Sequence, residues 1–349
     1  MDSRNQIRAM DQRQMIDWMQ KNGEKAFRGK QLYEWVHRKR VAAFDEMTNM
    51  SKELREKLAG EFVLDPLSVV RKQEAADGST AKYLFELPDG ERIESVWMHY
   101  KHGDSVCVSS QIGCRMGCSF CASTMDGLVR NLTPGEMLSQ VYDIEKDRGP
   151  IHSIIVMGMG EPFDNYGNVI AFFRLLTDEE GRDLSARHIT VSTCGLPDGI
   201  RRLAEEGLPV TLALSLHAPN DEVRRSIMPI AKRYPMEEVF EACHYFFKKT
   251  GRRITFEYSM IRGVNDSKNA AEELAGRCRE LQKNGMPVHI NLIPLNEVEE
   301  REHARAAKED IESFQKILEK NRINVTIRRE MGSEIDAACG QLRRRYKRR

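Results

Sequence analysis

The chain has 349 residues, enough to bury a large core in two domains or in one barrel with additions. Its 54 Lys and Arg nearly balance its 53 Asp and Glu, for a net charge of +1, so total charge argues neither for nor against a nucleic-acid partner. The longest apolar runs, such as Ile154 to Met157, fall far short of the roughly 20 residues of a membrane span, and the first residues are polar; a soluble, cytoplasmic protein with no membrane partner is expected. Eight cysteines without a secretory leader point to thiols used in chemistry or metal binding, because reducing compartments disfavour structural disulfides.

In chain order, apolar residues recur at spacings of three and four in Met10–Met19, Gly29–Arg40 and Ser51–Gly60, which predicts three helices. The helical accessory domain is assigned to residues 1–75. Within it Lys25–Arg40 interleaves basic and aromatic residues, a mixture that suits phosphates and unpaired bases but equally describes an amphipathic helix with a solvated basic face. A linker with a hairpin is assigned to 76–103, its strands Lys82–Leu87 and Arg92–Trp97 joined by the turn Pro88-Asp89-Gly90. From 104 to 330 strands alternate with helices. Strands are predicted at 105–109, 153–157, 188–192, 210–217, 255–260, 288–293 and 325–328. Thr133-Pro-Gly-Glu136 opens a helix with a capping box; others are predicted at 197–206, 236–249, 267–283 and 308–321. About six βα units with β-branched strands imply an α/β fold with a parallel sheet, curved into an open or partial (βα)6 barrel whose ligands sit at the carboxyl ends of the strands. Residues 331–349 form a cysteine loop and a basic tail, Arg343–Arg349, suited either to RNA phosphates or to solubility alone.

The most specific motif is Cys114-x3-Cys118-x2-Cys121. Three thiolates on one short loop hold three irons of a [4Fe-4S] cluster and leave the fourth iron open to a small molecule. This spacing resembles the signature of the radical S-adenosylmethionine (radical-SAM) enzymes, in which SAM occupies the open iron. A four-cysteine zinc site completed by Cys107 is the alternative, which would make a zinc-stabilised RNA-binding module without turnover.

Polar residues recur at successive strand ends. Met157-Gly-Met-Gly-Glu161-Pro162 combines small residues, which let backbone approach a ligand, with a carboxylate for an ammonium group. Ser192–Gly195, Ser215–Pro219 and Asn291–Asn296 follow. His217 is either a ligand contact or a satisfied structural histidine. Cys243 and Cys278 fall on apolar helix faces and read as core thiols, and Cys194 is placed to touch the ligand without being needed for it. Cys339, in Ile335–Gln341, is either an accessible nucleophile or a packed thiol.

Together Val108–Cys114, the cluster cysteines, Arg130–Thr133, Gly158–Pro162, Ser215–Asn220, Asn291–Pro294 and Asp336–Leu342 resemble the radical-SAM RNA adenine methyltransferases of the RlmN/Cfr family, and within it the adenine-C2 branch more than the adenine-C8 branch. The resemblance covers nearly the whole chain. It implies SAM contacts at Gly160, Glu161, Ser192, Ser215, Leu216, His217 and Asn296, cluster ligands Cys114, Cys118 and Cys121, a proton acceptor at Glu94, a methyl-carrying Cys339 and a resolving Cys107. It further implies one [4Fe-4S] cluster, two SAM per turnover, a monomer, and an electron donor of the flavodoxin or reductase kind. The implied substrates are 23S rRNA and tRNA, methylated at A2503 and A37. Carbon 2 of adenine is electrophilic, so direct attack on the SAM methyl is closed; the implied route loads the methyl on Cys339, makes it a radical that adds to the base, and releases product through a Cys107–Cys339 disulfide. A radical activase acting on protein would leave these two cysteines without a purpose.

Overall fold

A computed structural model describes residues 5–64, 67–298 and 300–328; Cys339 and the basic tail lie outside the described residues. The first unit is helical. Its ends are tied by a parallel pair, β1 (Asn5–Gln6) and β2 (Phe62–Val63), around α1 (Gln12–Lys21), α2 (Ala26–Tyr33) and α3 (Lys52–Glu61). α1 starts where Asp11 accepts from the Gln14 amide at 2.8 Å and the Gln14 side chain accepts from the Asp11 amide at 2.9 Å, a reciprocal cap that satisfies two otherwise orphaned donors. Gly29 lets α1 and α2 touch: a Cβ there would sit 2.4 Å from Ile16 Cα.

From residue 68 onward the chain builds one ten-stranded sheet. β3 (Ser68–Glu74), β4 (Thr80–Glu86) and β5 (Arg92–Met98) run antiparallel and join β6 (Ser105–Cys107). A small antiparallel pair, β7 (Gln111–Gly113) and β8 (Leu128–Asn131), then leaves the sheet. The remaining units are α4 (Pro134–Arg148), β9 (Ser153–Val156), α5 (Tyr166–Thr177), β10 (Ile189–Thr193), α6 (Pro197–Glu205), β11 (Thr211–Ser215), α7 (Asp221–Ile227), α8 (Met236–Thr250), β12 (Ile254–Met260), α9 (Lys268–Lys283), β13 (Val288–Pro294), α10 (Lys308–Lys320) and β14 (Asn324–Ile327). β6 and β9 to β14 are parallel and lie in chain order across the sheet. The expected α/β architecture is therefore present, with an antiparallel extension on one side.

Two expectations change. Ser68–Glu74, assigned by sequence to the helical accessory segment, is a strand, and the 82–97 hairpin is part of the main sheet rather than a linker. β3 is an edge strand exposed along nearly its whole length, so it carries none of the apolar alternation by which a half-buried strand is read. α5 was also not foreseen: Tyr166–Thr177 is apolar around much of its circumference, and a helix buried on several sides loses its period.

Strand alternation gives the sheet two faces. Ile154, Val156, Val191, Leu212, Leu214, Phe256, Tyr258, Ile290 and Leu292 belong to the main core beneath the helices. At 25 cal/mol per Å² such burial dominates stability. The helical unit is fastened to the outside of this layer through α4. Arg8 donates to Ser139 Oγ at 2.9 Å, His37 Nδ1 lies 3.2 Å from Tyr142 Oη, and Arg40 pairs with Glu145 at 2.6 Å.

Candidate active site

The face away from the helices is continuous from one edge of the sheet to the other. Cross-strand neighbours share a face, and the register runs Lys82–Val96–Cys107–Ile155–Thr190, then Ser192–Ala213, then Ser215–Glu257–Asn291–Thr326. Period-two alternation adds Glu94 beside Val96. Thus Glu94, Cys107, Ser192 and Ser215, separated widely in sequence, look onto the same surface. Cys107 packs there with Val96, Met98, Ile155 and Met157. Glu94 is buried and paired with the equally buried Lys82, Nζ to Oε2 2.8 Å.

The cysteine loop closes the carboxyl end of this face. The β7–β8 pair forms its base, with the Cys114 amide donating to Gly127 O at 3.0 Å. Gly113 has φ 75°, and a Cβ on it would lie 1.9 Å from that same carbonyl, so only glycine fits. Thr124 Oγ1 donates to the carbonyls of Cys118 and Cys121, both at 3.0 Å, and Arg301 donates to Cys121 O at 3.2 Å. The Ser119 amide donates to Ile227 O at 2.9 Å, tying the loop to the end of α7.

Cys114 and Cys118 are buried and Cys121 is half-buried. Burial, reinforced by neighbouring Glu161 and Cys121, pushes the Cys114 thiol up to about 12, and burial with the other two thiols pushes Cys118 up as well. As bare thiolates these groups would be costly; binding iron replaces the protons with a positive centre. Each of three thiolates takes a different iron in a cluster, so they need not converge on one point. Among the described residues no group of three or more His, Cys, Asp or Glu side chains closes on a single metal ion, and Cys107 belongs to a separate apolar cluster from Cys118. The three cysteines of the loop fit a cluster.

Glu161 follows β9. Its carboxylate accepts from the amides of Cys194 at 2.8 Å and Phe163 at 3.1 Å, and its own amide donates to Gln111 Oε1 at 2.8 Å. Burial raises its pKa while these amides oppose the rise. Gly160 has φ 104°, and a Cβ would meet Gln111 Cβ at 2.6 Å. Ser192 Oγ and Ser215 Oγ lie 3.2 Å apart. His217, at φ 55°, accepts from the Ser259 amide through Nδ1 at 3.0 Å, which places its proton on Nε2. Burial, with Arg224 nearby, drives its pKa down to about 3, so it is neutral. Its ring meets Phe120 of the cysteine loop edge-on, centroids 5.0 Å apart. Leu216 is buried, its amide donating to Glu257 O at 3.0 Å, and Asn296 is exposed just after β13.

Residues 6–64 match the ribosomal RNA large subunit methyltransferase N-terminal domain and residues 108–275 the radical SAM superfamily. The chain is 52% identical to a probable dual-specificity RNA methyltransferase RlmN of Clostridium novyi, over 95% of this chain and 96% of that one. A protein of the same name from Lachnoclostridium phytofermentans is 54% identical, over 93% and 90%. The chain belongs to the RlmN family of radical SAM RNA methyltransferases. A crystal structure of a radical SAM methyltransferase from Sphaerobacter thermophilus agrees over 97% of this chain and 98% of that one, at TM-score 0.92 and 44% identity. An RlmN-family enzyme uses a [4Fe-4S] cluster and SAM, matching the chemistry of the cysteine loop. No helix among the described residues is long and apolar enough to cross a membrane, and no disulfide joins two described cysteines.

Of the residues expected from sequence, the cysteine loop, Gly160, Glu161, Ser192, Ser215, Leu216 and His217 gather at the carboxyl ends of β9 to β11, and Glu94 and Cys107 lie on the adjoining face. Sequence reading passed over Lys82, Arg224 and Glu257 as site residues. Lys82 and Glu257 each stand alone among apolar strand residues, a signal for a buried polar group with a purpose.

Proposed function

We propose that the protein methylates carbon 2 of an adenine in 23S rRNA and in tRNA, through a methyl group carried on Cys339. When bound, the cluster and SAM supply a carbon radical at the expense of one electron from an external donor of the flavodoxin class. The rest falls to the chain itself. Gly160 gives the SAM amino-acid portion room at the loop, and the Glu161 carboxylate attracts its ammonium group. Ser192 and Ser215 offer hydroxyls to the ribose, and His217 a ring N–H; Leu216 and Asn296 complete the contacts. Cys339 accepts the methyl by displacement, a reaction of a thiolate. Once the base is joined to that carbon, Glu94 takes the C2 proton, with Lys82 holding the carboxylate in place and compensating its charge. The Cys107 thiolate then attacks the Cys339 sulfur, forming a disulfide; the carbon leaves with the bonding pair and takes a proton to become the methyl group, and the odd electron of the adduct would pass back to the cluster. The basic tail, Arg343–Arg349, holds RNA phosphates nearby.

The observation that carries this reading is the shared face of Glu94, Cys107, Ser192 and Ser215: a carboxylate and a thiol stand on the surface that SAM would cover. The test is an anaerobic reaction with methyl-deuterated SAM, with mass read on the Cys339 peptide and on RNA and the product adenosine identified by NMR. Deuterium passing through Cys339 to carbon 2 is expected. Label that never appears on Cys339, or a methyl at carbon 8, would refute it.

A further inference from the structure

Arg224 is among the largest fully buried side chains of the protein. It sits on α7, whose last residues bind the cysteine loop through Ile227 O and Ser119. Among the described residues its guanidinium donates only to carbonyls, to Cys194 O at 2.5 Å, Leu216 O at 3.3 Å and Ser215 O at 3.5 Å, and Nη1 finds no hydrogen-bond partner there. Asp221 is near, but its carboxylate accepts from the Met236 amide, and no described residue forms a salt bridge with Arg224. A buried cation left without a counter-ion costs several kcal/mol, so its charge has to be met by something the protein holds. Cys118 and Cys194 share one apolar cluster with Ile227, which ends the helix that carries Arg224.

We propose that Arg224 is the buried counter-charge of the iron–sulfur cluster, a positioning residue that favours its reduced state. A [4Fe-4S] core held by three thiolates is net negative and gains one more negative charge on accepting an electron from the external donor; no bond forms or breaks. A fixed cation in a dry environment stabilises the reduced form more than the oxidised one and raises the reduction potential. A guanidinium suits the place because it stays charged when buried and its fork grips three carbonyls at once.

The inference rests on the cluster alone and not on the methyl-carrier reading, so its failure would leave that reading untouched. The test is a spectroelectrochemical titration of the holoenzyme without RNA, with iron and acid-labile sulfide measured in parallel. Arg224→Gln is expected to move the potential to more negative values at full iron content, and Arg224→Lys to stay close to the parent. An unchanged potential in a fully loaded Arg224→Gln protein would overturn the proposal, as would an equal shift in both variants. If Arg224→Gln loses the cluster, retention by Arg224→Lys supports the role of charge, and loss from both variants overturns it.

Discussion

The Lys82–Glu94 pair gives the sharpest prediction. Both side chains are essentially unexposed and their charged atoms lie 2.8 Å apart. Replacing Lys82 by Met takes away the cation 2.8 Å from the Glu94 carboxylate in a buried sheet face, and breaking a buried pair costs about 3–5 kcal/mol. With an unfolding entropy near 2.1 cal/mol/K per residue, a 349-residue chain loses roughly 4–7 °C in Tm. Glu94→Gln breaks the same pair from the other side and costs a similar amount. The double variant, with both charges of the pair removed, should recover most of the loss, because a buried pair replaced by neutral groups is close to neutral in stability. Calorimetry of the four holoenzymes measures the coupling. Single-variant losses below about 1 kcal/mol, or additive losses in the double variant, would show that the pair is solvated in solution and refute the reasoning. Glu94→Gln and Lys82→Met should both lose methylation, whereas Lys82→Arg should keep part of it.

Three further outcomes follow from the geometry. Cys107→Ala should keep its iron content, since Cys107 packs apart from the cluster loop, but should retain RNA covalently on denaturing gels; free RNA with normal turnover would remove Cys107 from the mechanism. His37, buried against Tyr142 and pushed down to about 3 by burial and the nearby Arg8, binds a proton in the unfolded chain below about pH 6.5 that the folded chain refuses. Stability therefore falls as pH drops from about 6.5 towards 3, and wild type should lose about 2 kcal/mol more than His37→Gln between pH 7 and pH 5; parallel Tm curves would contradict this. Gly160→Ala adds a Cβ 2.6 Å from Gln111 Cβ at φ 104°, at a strain of about 1–3 kcal/mol, and should weaken SAM binding by calorimetric titration while Gly167→Ala, where the Cβ meets nothing within 4 Å, does not.

Local chemistry made much of this protein legible in advance. The cysteine spacing, the Thr133–Glu136 capping box, later seen with Glu136 accepting from the Thr133 amide at 2.9 Å, and the β-branched strands each depend on neighbours within a few residues, so their meaning survives without a fold. Tertiary structure decided what depends on distant partners. The exposed edge strand Ser68–Glu74 has its identity set by pairing with β4, not by its own pattern. Cys107 as a fourth metal ligand and Cys107 as a member of the sheet face shared with Glu94 are equally compatible with its sequence neighbours; only the register with Val96 and Ile155 places it on that face. Lys82, Glu94 and Arg224 are ordinary charges in a sequence, and become informative because burial removes the water that would otherwise make their partners irrelevant.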